Sequence, residues 1–387
     1  MLPRSTRTDT IRPFQVMRLL ARARELEQQG RDIVHMEIGE PDFPTPAPVL
    51  EAAQAAIATG QMHYTPATGM PQLKQQIAQF YQQRYAVEVD LKRIVITPGA
   101  SGALLLAMAA VVEPGKKILV SDPGYPCNRN FVRFLAGQHK AVPVGADTAY
   151  QMTVEHLQTH WDATTVGVVL ASPSNPTGTL IATEQLRAII KFVQQKNGVI
   201  FMDEIYHGLV YGDGVDTILK FSDDAFVINS FSKYFGMTGW RIGWLVAPEQ
   251  YVTAIDNFAQ NIFLAAPTPS QHAALAAFSP ENIAILEARR AEFRQRRDYL
   301  IPALRELGFK ISVEPQGAFY IYCDCSRFTR DSMQFVEDLL EQIGVALTPG
   351  ADFGEYKAKT HVRVAYTTSL ARLEEGVKRL KNYLSQA

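Results

Sequence analysis

Apolar residues in the middle of the chain come as short unbroken runs and do not alternate with polar ones. Such runs lie at Arg93–Thr97, Lys117–Ser121, Val166–Ala171, Gly198–Asp203, Ala225–Ser230 and Arg241–Ala247, with helical patterns such as Thr183–Lys196 between several of them. A strand that is apolar on both faces is buried on both, which predicts a mostly parallel sheet with helices above and below. Around Ile242–Val246 two strands follow each other with only a short turn between, which predicts one antiparallel member. After Pro267 the pattern changes. A long charged helix from about Glu281 to Leu307 is followed by a β-rich piece (Lys310–Cys323), a helix (Asp331–Ile343), a strand (His361–Tyr366) and a last helix (Leu370–Leu384). This reads as a smaller α+β unit. The segment Pro13–Gln29 has Val16, Leu19, Leu20, Ala23 and Leu26 on or near one helical face, and Ile33–Ile38 reads as a strand. Both are expected to join the smaller unit. That gives a division into an N-terminal segment 1–45, a large domain 46–280 and a small C-terminal domain 281–387.

Composition narrows the possibilities. The chain has 387 residues, 47% of them hydrophobic and 20% charged, with a formal net charge of −1. That is ample for a core and ordinary for a globular protein, and the balance of charge disfavours nucleic acid or an acidic membrane surface as a partner. The three cysteines, Cys127, Cys323 and Cys325, are odd in number and lack C-x-x-C spacing, which argues against a disulfide framework or a zinc site. A cytoplasmic setting fits that use of cysteine. No apolar run is long enough to cross a bilayer. Six arginines up to Arg24 stand against the single acid Asp9, as in some transit peptides, but the same stretch reads as an amphipathic helix and has no signal-peptide core.

The chemistry centres on Lys233, in Ser230-Phe231-Ser232-Lys233-Tyr234-Phe235-Gly236-Met237-Thr238-Gly239-Trp240-Arg241. A lysine amine condenses with an aldehyde and holds it as a Schiff base. The hydroxyls on either side, and an arginine eight positions on, suit an aldehyde cofactor that carries a phosphate, pyridoxal phosphate (PLP). Four further segments follow strand-like runs. Thr97-Pro98-Gly99-Ala100-Ser101-Gly102 leads into an apolar helix (Ala103–Val112), and the free N–H groups at such a start attract phosphate. Asp122-Pro123-Gly124-Tyr125-Pro126 presents an aromatic ring that can stack on a heterocycle. Ser172-Pro173-Ser174-Asn175-Pro176 is a rigid loop suited to a cis bond and to holding an amide in one direction. Asp203 closes a buried run, where a carboxylate needs a partner such as a protonated ring nitrogen, and Tyr206 follows three positions on. Each segment alone also reads as ordinary structure: a strand–helix turn, a half-buried tyrosine, an Asn-Pro turn, a core salt bridge. Together they lie at carboxyl ends of strands, where open α/β sheets bind ligands.

These motifs, in this order, resemble the class I aminotransferases of PLP fold type I, enzymes of the aspartate, alanine and aromatic aminotransferase kind. The similarity runs from about Ile38 to Arg363. It implies an α/β fold with a seven-stranded, mostly parallel sheet sandwiched by helices and a smaller α+β domain. It implies that Lys233 forms the internal aldimine, that Asp203 pairs with the pyridine nitrogen, that Asn175 and Tyr206 bond the ring hydroxyl, and that Tyr125 stacks on the ring. Ala100, Ser101, Ser230 and Arg241 would hold the phosphate, and Arg363, with Asn175 and the Gly39 backbone, the substrate α-carboxylate. Tyr64, within Tyr-Thr-Pro-Ala-Thr-Gly, would reach the phosphate in a partner subunit, implying a homodimer. The implied reaction moves the amino group of an amino acid to a 2-oxo acid by a ping-pong mechanism. Which amino acid is preferred stays open.

Three other readings compete. A C–S β-lyase of the same fold tends to replace the Gly-x-x-Gly-x-Arg sequence, which is intact here as Gly236, Gly239 and Arg241. A non-catalytic PLP-binding module would not need the full set of reactive residues. A dinucleotide-dependent dehydrogenase would show G-x-G-x-x-G after its first strand, which is missing. His207 and the cysteines read as structural neighbours, with Cys127 close enough to Tyr125 in sequence to reach the same pocket. Phe14 and Val16 are expected to cover the site.

Overall fold

The computed structural model describes residues 4–5, 7–11 and 13–385. Twelve strands occur in chain order: β1 (Val34–His35), β2 (Ile94–Thr97), β3 (Lys117–Asp122), β4 (Gln138–Pro143), β5 (Thr165–Ala171), β6 (Val199–Asp203), β7 (Ala225–Ser230), β8 (Gly243–Val246), β9 (Tyr320–Asp324), β10 (Val345–Ala346), β11 (Thr348–Pro349) and β12 (His361–Ala365). Seven of them form one sheet in the order β2-β8-β7-β6-β5-β3-β4, in which β8 alone runs opposite to the other six. Every residue of β2, β7 and β8 is buried, as the unbroken apolar runs predict for strands covered on both faces. The seventh member, β4, is not among the runs read from sequence. Its residues QHKAVP alternate in exposure at a solvated edge of the sheet, so it carries no apolar run.

The β-rich piece Lys310–Cys323 is mostly turns and isolated bridges, and only Tyr320–Asp324 is a strand. That strand pairs with β12, which pairs with β11, in an antiparallel three-stranded sheet. β1 pairs parallel with β10, Val34 opposite Val345 and His35 opposite Ala346. The helix Gln15–Gln28 buries Leu19, Ala23 and Leu26, and Arg18 and Arg22 reach Glu337 and Glu341 on the helix Ser332–Ile343, each at 2.6 Å. The long helix Pro280–Leu307 starts on a Ser279 cap and stops at Gly308 in the left-handed conformation. From its middle Arg296, 2% exposed, grips both carboxylate oxygens of Asp42 at 2.7 and 3.0 Å, which fixes the 38–45 segment against the body of the protein. Among the described residues no helix is long and apolar enough to cross a membrane.

Candidate active site

The sheet's register assembles the site. Ser230 at the end of β7 and Thr97 at the end of β2 both lie opposite Gly243, the first residue of β8. Asp203, ending β6, lies opposite Ala171 of β5, from which the chain runs on to Asn175. One sheet edge therefore carries four of the five predicted segments, and the turn after β3 brings Tyr125. The helix after β2 starts earlier than expected, at Gly99 and not Ala103, so Ala100 and Ser101 sit in its first turn, where N–H groups have no helical acceptor. Two glycines allow this closeness. A Cβ on Gly99 (φ +68°) would stand 2.6 Å from Arg241 Nη2, and one on Gly243 would stand 2.9 Å from Ala100 N.

These elements surround a cavity of about 410 Å³. Its walls include Gly39, Ala100, Ser101, Tyr125, Asn175, Asp203, Tyr206, Ser230, Lys233, Arg241 and Arg363, so all of the predicted site residues meet there except Tyr64. Tyr64 is 83% exposed on the surface of its own chain. Phe14 and Val16 also line the cavity, as expected for the N-terminal segment. His207 and Cys127 do not; His207 is buried, with Nδ1 3.3 Å from the Tyr85 hydroxyl, and burial pushes its pKa down to about 3. Cys323 and Cys325 are buried thiols.

The geometry at each group defines its chemistry. Lys233 Nζ donates to the Gly39 carbonyl at 2.6 Å. Burial lowers its pKa from 10.5 to about 8; the Glu40 carboxylate pulls it back up, and Arg363 and Arg241 push it further down. The amine is thus a better nucleophile and base near neutrality than a surface lysine. Asp203, 8% exposed, accepts one bond from the Ile205 N–H at 3.1 Å and has no ion-pair partner among the described residues, which removes the core salt bridge as its explanation. Burial raises its pKa to about 6, against the N–H of Ile205 and the charge of Lys233. Arg363 is 4% exposed, donates from Nη1 to Asn175 Oδ1 at 2.9 Å and from Nη2 to the Glu37 carbonyl at 2.5 Å, and lies 4.2 Å from the Tyr320 ring centroid. Its Nε is buried without a partner among the described residues.

Tyr320 is a site group with no signature in the sequence. Tyr320 shares a 2.8 Å hydrogen bond with the Tyr206 hydroxyl, and a Cβ on Gly39 would collide with its oxygen at 2.0 Å, which is why position 39 is glycine. Ser232 accepts from Ser230 Oγ at 2.9 Å, and Thr238 bonds the Glu40 carboxylate at the cavity mouth. PLP fits this arrangement on three counts: a glycine-lined helix start beside an arginine for its phosphate, an unpaired buried carboxylate for its ring nitrogen, and a partly depressed lysine for its aldehyde.

Comparison with known proteins agrees. The family described as aminotransferase class I and II matches residues 31–380. The valine–pyruvate aminotransferase of Mycobacterium tuberculosis is 38% identical over 96% of both chains, and the (5-formylfuran-3-yl)methyl phosphate transaminase of Methanocaldococcus jannaschii is 36% identical over 96% of this chain and 97% of its own. The crystal structure of an aminotransferase from Mycobacterium tuberculosis superposes over the whole of both chains with a TM-score of 0.97 at 37% identity.

Proposed function

From the premise that the chain belongs to the class I and II aminotransferases, we propose that Lys233, Asp203 and Arg363 carry its reaction from a single cavity. The protein is a PLP-dependent aminotransferase that takes amino acids and 2-oxo acids. The lyase, the non-catalytic module and the dehydrogenase gain nothing from its relatives, which are named as transaminases. The observation that carries the assignment of roles is the convergence of an amine, an unpaired carboxylate and a half-satisfied arginine around one space. Bound there, PLP supplies an electron sink for the Cα–H bond and a carrier for the amino group between two half-reactions.

The residues act as follows. Ser101, Ser230, Arg241 and the Ala100 N–H hold the phosphate. Asp203 keeps the ring nitrogen protonated, Asn175 and Tyr206 bond the ring hydroxyl, and Tyr125 covers one face. Arg363, oriented by Asn175 Oδ1 and the Glu37 carbonyl, binds the α-carboxylate, near the Gly39 backbone, and thereby aims Cα–H at Lys233. Lys233 Nζ holds the cofactor at rest and moves the proton from Cα during turnover. The segments around the large domain 46–280 fit the division into 1–45 and 281–387, supported by the β1–β10 pairing. Three free thiols accord with a cytoplasmic setting. The test is direct: amino acids added to the yellow holoenzyme should convert its absorbance, and a 2-oxo acid should restore it. A holoenzyme that no amino acid converts is not a transaminase.

A homodimer completes the proposal, with Tyr64 reaching the partner's phosphate site. Its support is a set of exposed apolar side chains: Leu50, Ile57, Met62, Ile262 and Leu264 lie open to solvent on or beside the helices Ala47–Ala58 and Val252–Ile262, with Met62 two positions before Tyr64. Mixing Tyr64→Ala chains with Lys233→Ala chains should restore activity that neither has alone, since a mixed dimer contains one intact site. Absence of complementation in verified mixed dimers would place Tyr64 outside the partner's site.

A further inference from the structure

The way the N-terminal helix is held bears on which amino acids the site accepts, given the aminotransferase reading above. Helix Gln15–Gln28 begins at Phe14, which offers no side-chain cap. The orphan N–H groups go to a distant residue instead. Gln15 N lies 2.8 Å from Asp352 Oδ1 and Val16 N 3.3 Å from Oδ2. Asp352, 4% exposed, belongs to a loop whose other bonds cross to the turn that carries Tyr125. Arg129 Nη2 donates to the Asp352 carbonyl at 2.8 Å, Gly124 N donates to the Phe353 carbonyl at 2.9 Å, and the Asp122 carboxylate accepts the N–H groups of Glu355 and Tyr356. Helix start, loop and Tyr125 turn thus form one bonded unit. It sets the Phe14 ring 6.4 Å from the Tyr125 ring and turns Phe14, Val16 and Met17 into the cavity.

The charges in the cavity bear on the same choice. Among the described residues its cations are Lys233, Arg241 and Arg363, and its anions Asp203 and Glu40. The three cations are taken by the cofactor amine link, the phosphate and the α-carboxylate. This chain leaves none for a second carboxylate, and Glu40 at the mouth repels one.

We propose that the enzyme selects amino acids with a neutral, apolar side chain, received by a wall of Phe14, Val16 and Met17 that Asp352 holds against Tyr125. Asp352 is a positioning residue, acting through the helix it caps.

The experiment measures kcat/KM for the half-reaction of holoenzyme with alanine, 2-aminobutyrate, norvaline, leucine, aspartate and glutamate. Values should rise about three- to fourfold per methylene from alanine to norvaline, and leucine should exceed both dicarboxylates at least about tenfold. Preference for aspartate or glutamate, as a cation from a second subunit would produce, overturns the proposal and leaves the transaminase reading standing. Failure of every amino acid sinks the transaminase reading itself. Asp352→Ala should lose more on norvaline than on alanine, mainly through KM, with Asp352→Asn between it and wild type. Equal losses on both substrates would show a merely structural role. If Asp352→Ala does not fold, Phe14→Ala must show the same bias toward the short substrate, and its absence overturns the wall.

Discussion

Lys233→Ala should abolish turnover, with a loss well above ~10³-fold, because one residue supplies both the covalent hold on the cofactor and the proton carrier at Cα. Two further readouts separate these roles from general damage. Borohydride reduction followed by mass spectrometry should find a cofactor adduct on Lys233 of the wild type and none in the variant. The melting temperature of the cofactor-free protein should not fall, since Nζ makes a single bond, to the Gly39 carbonyl, and burial already disfavours its charge. The depressed pKa adds a pH dependence. The amine attacks as the free base, so covalent capture of PLP by cofactor-free protein should quicken as pH rises and level off above about 8. An unshifted lysine would keep accelerating toward pH 10. Retained turnover in Lys233→Ala would remove the residue from the mechanism.

Asp203→Asn should lower turnover by ~10²–10³-fold, because a carboxylate aimed at a ring nitrogen is replaced by a neutral group that cannot hold it charged. The same substitution should stabilise the cofactor-free protein. Burial raises the folded pKa to about 6 from 3.8, so between those values the folded state binds more protons than the unfolded one and stability falls as pH rises. Above about pH 6 the whole penalty is present, on the order of 3 kcal/mol. Asparagine removes it while Oδ1 still accepts from the Ile205 N–H. The gain in melting temperature of Asp203→Asn over wild type should therefore be larger at pH 8 than at pH 5. A variant less stable at pH 8, with wild-type turnover, would mean that Asp203 is an ordinary structural carboxylate.

The central sheet was legible because its strands are buried on both faces, and two-sided burial demands unbroken apolar runs. The edge strand β4 and the two-residue strands β10 and β11 were not, since Gln138–Pro143 is half solvated and a two-residue strand carries no pattern. The helix after β2 begins four residues before the apolar run from Ala103 that marks it in the sequence. The glycines and small residues of Gly99–Gly102 read as a turn, whereas they form the first helical turn itself. Most site residues were readable because each follows the end of a strand, and strand ends in such a sheet converge. Tyr320 was not, being one aromatic in a β-rich stretch until folding brings its hydroxyl to Tyr206.

By itself the sequence determined the sheet, the lysine and its flanking hydroxyls, the terminal carboxylate of β6 and the family's order of motifs. These are local matters: burial periodicity, turn chemistry, and residue type at a strand end. Only the tertiary structure decided that Arg363 rests on the Glu37 carbonyl 326 positions away, that Lys233 meets Gly39 across 194, and that Asp352 caps a helix 337 positions earlier. Those contacts use backbone carbonyls, which every residue possesses, and N–H groups, which every residue but proline possesses. No side-chain pattern announces them, and only packing determines which of them meet.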